Sequence, residues 1–204
     1  MKLDFISFIP AFLHAFLQNL WIGCVALIIG IALGAPFALI VHKKNFMQGV
    51  VKGLLVFLRA LPVFIVMYIS LGILTMTFSA DDTSYLSTPV LALLIGLCFT
   101  ATSGVYDASL DALRLRDAGQ IDQALLIIPN IFRVFVSVAS TTSVGAALGV
   151  KEAVSYSLTT AERMTSVADR VAIVLFVSLF FVCFVLLSRW LLNVIVKKKF
   201  KQPG

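Results

Sequence analysis

From residue 171 to residue 196 the chain carries a single charged side chain, Arg189. A helix over that stretch would be about 39 Å long at about 1.5 Å per residue, more than the roughly 30 Å hydrocarbon core of a bilayer. Four further apolar segments, at 17–41, 61–78, 89–108 and 127–150, have the same character. Apolar types make up 60% of the 204 residues and charged types 13%, and the mean hydropathy is +1.04. An ordinary globular domain has roughly 45–50% apolar and 25% charged residues. A sphere this small cannot hide so much apolar surface, so lipid must act as part of its solvent. Each span then has to satisfy its own backbone hydrogen bonds, which leaves an all-α bundle. The expected architecture is a membrane protein of five transmembrane helices in one domain over residues 1–204.

The segments between the spans refine this layout. The first apolar run, 5–41, would be roughly 55 Å of helix, too long for one crossing. It is divided here into a short interfacial helix at 5–16, which holds Pro10 and His14, and a first crossing at 17–41. Asp4, and the lack of a small-x-small cleavage site, argue against a removable signal peptide. Residues 46–59 are apolar but contain Lys52 and Arg59, and read as a helix at the membrane surface. Residues 79–88, with Asp81 and Asp82, read as a polar turn. Residues 109–126 are polar and mixed in charge, and 151–169 read as a surface helix.

The net charge of +6 is read as a membrane-rim excess and does not call for nucleic acid. One set of loops carries Lys43, Lys44, Lys52, Arg59, Arg114, Arg116 and the Lys197–Lys201 cluster. The other carries only Lys2, Lys151, Arg163 and Arg170. Basic residues in short loops favour the cytoplasm, so the amino terminus is expected outside and the carboxyl terminus in the cytoplasm. Cys24, Cys98 and Cys183 are odd in number and lie within apolar runs, which argues against a disulfide framework, and no metal-binding spacing occurs. H-E-x-x-H, G-x-S-x-G and the Walker A run are also missing, so no catalytic motif is present and a nucleotide-driven step would need a separate ATPase subunit.

Several polar groups and glycine pairs lie within this apolar frame. Gly30/Gly34, Gly49/Gly53 and Gly145/Gly149 have the G-x-x-x-G spacing that lets helices approach closely. In the fourth crossing, Ser140, Thr141, Thr142 and Ser143 precede Gly145. Their hydroxyls can bond back to preceding carbonyls and loosen the helix, and loosened helices near the bilayer middle are where many transporters bind substrate. Interhelical hydrogen bonding explains the same run equally well. Asp107 and Asp111 share a helix face, either along a substrate path or at a solvated helix end. Arg133 can snorkel to the surface or pair with one of these two acids, and Arg189 is expected to snorkel.

Ordered motifs along most of the chain resemble the permease subunits of ABC importers for polar amino acids, the type I importer membrane domain. Phe8-Ile9-Pro10 with Phe16-Leu17 is similar to that family's outer entry helix. Arg59-Ala60-Leu61-Pro62 is similar to its R-G-x-P element, and Ser103-Gly104-Val105-Tyr106 to its S-G-x-Y element. Ile127 to Arg133 resembles I-L-P-Q-A-x-R, and Thr142 to Glu152 resembles T-S-L-x-x-x-I-G-V-x-E. The resemblance implies a permease in a bacterial inner membrane that moves a polar amino acid inward by alternating access. It also implies an ATPase that holds the ATP, an external solute-binding protein, and a second permease subunit, with a heterodimer favoured. Ser103, Tyr106, Ser140, Thr142 and Ser143 are the expected pathway lining. Residues 79–88 and 151–169 would meet the binding protein.

The main departure from the family is the cytoplasmic coupling loop. Gly119-Gln120-Ile121-Asp122-Gln123-Ala124 resembles the G-Q-x-E-A-A start, but the chain then runs directly to Ile127-Ile128-Pro129. About three helical turns of the family's loop are missing. Gly119, Asp122 and Ala124 are the expected residual ATPase contact. Two positions where the family carries acids hold Ser109 and Thr141. The shortened loop motivates a second reading, a non-energised permease-like subunit with an assembly or regulatory role. A third, a secondary transporter, would need Asp107 as its coupling acid.

Overall fold

The computed structural model describes residues 4–44, 46–77 and 87–199, and among these every regular element is helical. The elements are α1 (Phe5–His42), α2 (Gln48–Ala60), α3 (Val63–Thr77), α4 (Thr88–Asp117), α5 (Ile121–Ala124), α6 (Ile127–Thr141), a 3-10 helix at Thr142–Leu148, α7 (Ala153–Arg163) and α8 (Val167–Lys199). Four stretches are long and apolar enough to cross a membrane: Phe5–His42, Thr88–Asp117, Ile121–Leu148 and Val167–Val194. The pair α2–α3, bent by 91°, makes a fifth if it is taken as one span. That bend follows from Pro62, whose ring disfavours helical geometry at the preceding residue, and Leu61 is extended there. The polar turn expected at 79–88 lies largely outside the described residues.

The expected division of the first apolar run does not occur, because α1 continues from Phe5 to His42 without a break. Phe8, Phe12 and Phe16 recur every four residues and form one buried ridge. The Phe12 ring centroid lies 4.9 Å from that of Phe180, and Phe16 lies 4.9 Å from Phe180 and 5.2 Å from Phe184, all edge-on. Edge-to-face pairs add about 0.5–1.5 kcal/mol each beyond area burial. The ridge therefore holds the amino-terminal turns of α1 upright against α8, and Pro10 does not interrupt the helix. α4 is also longer than its expected crossing and carries the polar segment to Asp117 as helix, ending on Arg114 and Arg116. Those cations suit the negative end of the helix dipole.

α4 is the central helix. Ala92, Leu93, Leu97, Ala101 and Val105 on it are fully buried. It packs with Ile22 and Ala26 of α1, Met67 of α3, Val138 of α6 and Leu148 of the 3-10 helix. A second core joins the start of α1 to α7 and α8, and a third joins the end of α1 to α2 and α4.

Of the three glycine pairs, only Gly30/Gly34 forms a two-point helix seam. An added Cβ at Gly30 would stand 2.7 Å from the Ala101 Cβ, and one at Gly34 would stand 2.6 Å from the Thr102 carbonyl oxygen. Gly145 packs on Leu93, whereas nothing stands near Gly149, which has a φ of 88°. Gly49 and Gly53 face open space. Glycine costs roughly 0.5–1 kcal/mol relative to alanine inside a helix, so Gly49→Ala and Gly53→Ala are each expected to raise the melting temperature of the purified chain slightly. A fall on either substitution, read by thermal unfolding in detergent, would contradict an open α2 face.

Candidate transport site

The fourth span changes geometry where its hydroxyl run begins. α6 ends at Thr141 and a 3-10 helix follows from Thr142. Ser140 Oγ donates to the Val136 carbonyl at 2.8 Å, Thr141 Oγ1 to Ser137 at 2.9 Å, Thr142 Oγ1 to Ala139 at 2.6 Å and Ser143 Oγ to Ser140 at 2.8 Å. Such back-bonds compete for the carbonyls that an α-helix needs. Gly149, in the left-handed region, then closes the segment, and the Val150 N–H bonds back to the Gly145 carbonyl at 2.9 Å.

A buried polar knot holds this irregular segment. Asn19 of α1 donates from Nδ2 to Thr142 Oγ1 and to Glu152 Oε2, both at 2.8 Å. Its Oδ1 accepts from the Ala153 N–H at 3.1 Å. Glu152 caps α7 by accepting from Val154 N–H at 2.9 Å and Ser155 N–H at 2.8 Å. Asn19, Thr142 and Glu152 are all fully buried. Burial pushes the Glu152 carboxyl above the usual carboxylate range, and the bonds from Val154, Asn19 and Ser155 pull against that. The knot thus fastens α1, the broken span and α7 at one point.

A second polar centre gathers on Arg59 at the end of α2. Its Nε donates to Ser103 Oγ at 2.6 Å and its Nη2 to Asp107 Oδ1 at 2.7 Å. Its guanidinium also lies 5.8 Å from the Tyr106 ring centroid, within cation–π range. Asp107 is 55% exposed, which fits a solvated helix end. Arg133 pairs with neither acid proposed for it. It reaches Asn130 Oδ1 at 3.4 Å, while Asp111 lies 3.8 Å from Arg114.

The five expected lining residues therefore fall into separate places. Ser103 and Tyr106 surround Arg59. Ser140 lines a cleft of about 740 Å³ between α6 and α8. Thr142 is locked in the knot, and Ser143 bonds within its own turn. Gly119 adopts a φ of 78° and has open space beside it, as suits a turn after α4. Asp122 is exposed and Ala124 half-buried on α5, a helix of four residues. Asn19 was not among the expected site residues. Two adjacent amides, Gln18 and Asn19, interrupt this apolar run. The sequence marks a polar spot there, and only the fold shows that Asn19 is the one fully enclosed by protein while Gln18 is half-buried.

No protein-family model matches this sequence, and no curated protein matches it. Solved structures do match. A crystal structure of an amino acid ABC transporter with histidines aligns over 97% of this chain and 100% of its own, with a TM-score of 0.75 and 15% identity. The inward-facing MetNI methionine ABC transporter aligns over 92% and 95%, with a TM-score of 0.63 and 13% identity. Identities this low speak for the fold alone. Over nearly its whole length this multi-pass chain accordingly has the fold of the type I ABC importer membrane subunit.

Proposed function

We propose that this chain is the permease subunit of an ABC importer in a bacterial inner membrane, moving a polar amino acid inward by alternating access. The observation that carries the reading is the near-complete overlay on an amino acid transporter chain. The broken fourth span supports it, since interrupted helices supply free backbone groups within the bilayer. An ATPase would bind below, along the exposed turn holding Gly119, Asp122 and Ala124. A solute-binding protein would deliver cargo outside, and a second permease, in a heterodimer, would complete the path. The amino terminus lies outside and the carboxyl terminus in the cytoplasm in this scheme. ATP is held by the partner, and this chain performs no chemistry of its own.

The test is uptake of labelled polar amino acids into vesicles holding this chain, its ATPase, a companion permease and the binding protein. ATP-dependent accumulation is expected. Uptake that ignores ATP, or none across the polar amino acids, would overturn the assignment. The four residues of α5, about 6 Å of helix, favour one alternative, a permease-like subunit with no motor of its own. Failure of any ATPase to co-purify with the chain and its companion would select it.

Arg59 supplies a sharper test. It joins α2, through Ser103, Tyr106 and Asp107, to the middle of α4. Arg59→Gln is expected to lower ATP-driven uptake by about tenfold. The stability change should stay below about 1 kcal/mol, as for other exposed ion pairs. Unaltered uptake at normal expression would remove Arg59 from the mechanism.

A further inference from the structure

The cleft between α6 and α8 holds Ser140 of the expected pathway lining and also a pair of cations that the transport scheme does not use. Arg133 enters it from α6, and Arg189, Ser188 and Asn193 enter it from α8. Among the described residues no aspartate or glutamate lines it. Both arginines are exposed. Among the described residues Arg133 meets only the Asn130 amide, at 3.4 Å, and no ion pair involves Arg189. Two guanidinium groups of like sign thus line one cleft with no acid to balance them, and an anion seated between them is attracted by both. Guanidinium forks also match phosphate oxygens in bidentate geometry.

The rest of the lining says what kind of anion fits. Val144, Val185 and Leu192 give the cleft an apolar wall beside the cationic groups. Leu186, Leu187, Trp190 and Leu191 on the neighbouring surface of α8 are exposed and equally apolar. A water-soluble anion gains nothing from such a wall, whereas an acyl chain does. Depth agrees as well. Arg189 precedes Lys199, the last residue of α8, by about 15 Å of helix, and the intervening Lys197 and Lys198 belong to the basic cluster that marks a membrane rim. The apolar span itself ends at Val194, only about 8 Å beyond Arg189, a distance that an arginine stem can cover toward the headgroups.

We propose that the α6–α8 cleft binds an anionic phospholipid, its phosphate held by Arg133 and Arg189 and one acyl chain lying along Val144, Val185 and Leu192. The site belongs to the leaflet at the carboxyl-terminal end of α8. Basic pockets between membrane helices are a recurrent way of holding such headgroups. The inference requires a bilayer but no particular cargo, so it stands or falls separately from the importer assignment.

The experiment uses the full chain, delipidated in neutral detergent. Retention of phosphatidylglycerol is compared with that of phosphatidylcholine of the same acyl chains, by native mass spectrometry. Wild type is expected to prefer the anionic lipid by about tenfold or more, at roughly 1 kcal/mol per basic residue. Arg133→Gln with Arg189→Gln should abolish the preference, and Lys52→Gln, outside the cleft, should keep it. Should the double glutamine variant fail to fold, Arg133→Lys with Arg189→Lys keeps the charge, loses the fork, and should reduce the preference severalfold. Equal retention of both lipids, or an anionic preference unchanged in the folded arginine variants, would overturn the proposal. So would displacement of the lipid by millimolar inorganic phosphate or glutamate, which would identify a soluble-anion site. Loss of self-association in the arginine variants without any lipid effect would instead identify the cleft as a subunit contact.

Discussion

Gly34→Val is expected to be the most damaging single substitution in the α1–α4 seam. A Cβ at Gly34 would stand 2.6 Å from the Thr102 carbonyl oxygen and 2.9 Å from the Tyr106 backbone nitrogen. These are backbone atoms of the central helix, so no rotamer change makes room. Overpacking a tight core costs about 1–3 kcal/mol, and more where the backbone must shift; about 3 kcal/mol or above is expected here. The displaced helix also carries Ser103, Tyr106 and Asp107, so contact with Arg59 should be lost together with stability. Thermal unfolding in detergent should show a drop of several degrees and a broadened chromatographic peak. Gly30→Ala offers a built-in control, because its added carbon would meet the Ala101 Cβ at 2.7 Å and the Ala101 carbonyl carbon at 2.8 Å. Combining it with Ala101→Gly removes the first clash and leaves the second, so partial recovery is expected. No such partner exists for Gly34. A Gly34→Val protein that melts like wild type would mean that α1 and α4 are not packed in this register.

The spans could be read from the sequence because the bilayer imposes a length on every apolar run. The change in helix geometry at Thr142 was legible for a local reason: four consecutive hydroxyls can bond back to nearby carbonyls, and all four do so, although Thr142 also accepts from Asn19 across the helices. The pairing of helices was not legible. In lipid the outer face of a span is as apolar as its packed face, so α1 and α8 show no amphipathic stripe to say which side is buried. Phe8, Phe12 and Phe16 illustrate the loss. Their spacing announces one helix face, but the aromatic partners that fix its direction, Phe176 to Phe184, lie more than 150 positions away. Arg59 is a similar case. Its charge suggests a membrane-surface helix, whereas Asp107, its actual partner, reads from the sequence only as one of two acids that Arg133 could pair with. Two cations and two acids allow several pairings, and only the fold brings α2 beside the carboxyl-terminal half of α4. The site residues scattered for the same reason. A motif marks a position along one helix, whereas a lining depends on which way each turn faces.

Glu152→Ala is expected to unfasten the broken span. The carboxylate accepts three hydrogen bonds, from the Asn19 amide and from the Val154 and Ser155 N–H groups in the first turn of α7. Losing the helix cap costs about 1 kcal/mol. Stranding a buried Asn19 donor costs about 1–3 kcal/mol more, so a total near 3 kcal/mol is expected. Glu152→Gln distinguishes the cap from mere volume. Its amide oxygen can take the place of Oε2, but its NH2 then faces the Ser155 N–H, donor against donor, and about half the loss should remain. Asn19→Ala combined with Glu152→Ala should fall short of the sum of the single effects by more than about 0.5 kcal/mol, because the two side chains share one network. Hydrogen exchange localises the effect. The amides of Val154 and Ser155 should lose protection in Glu152→Ala, while those in the middle of α4 should keep theirs. A local loss of this kind removes one anchor of the Asn19 amide that holds Thr142, and so loosens the 3-10 segment from α1. ATP-driven uptake should then fall even at temperatures where the chain stays folded. A Glu152→Ala protein with unchanged melting and unchanged protection of the α7 amides would show that the knot is incidental, and that the irregular geometry after Thr141 is held by its own hydroxyls alone.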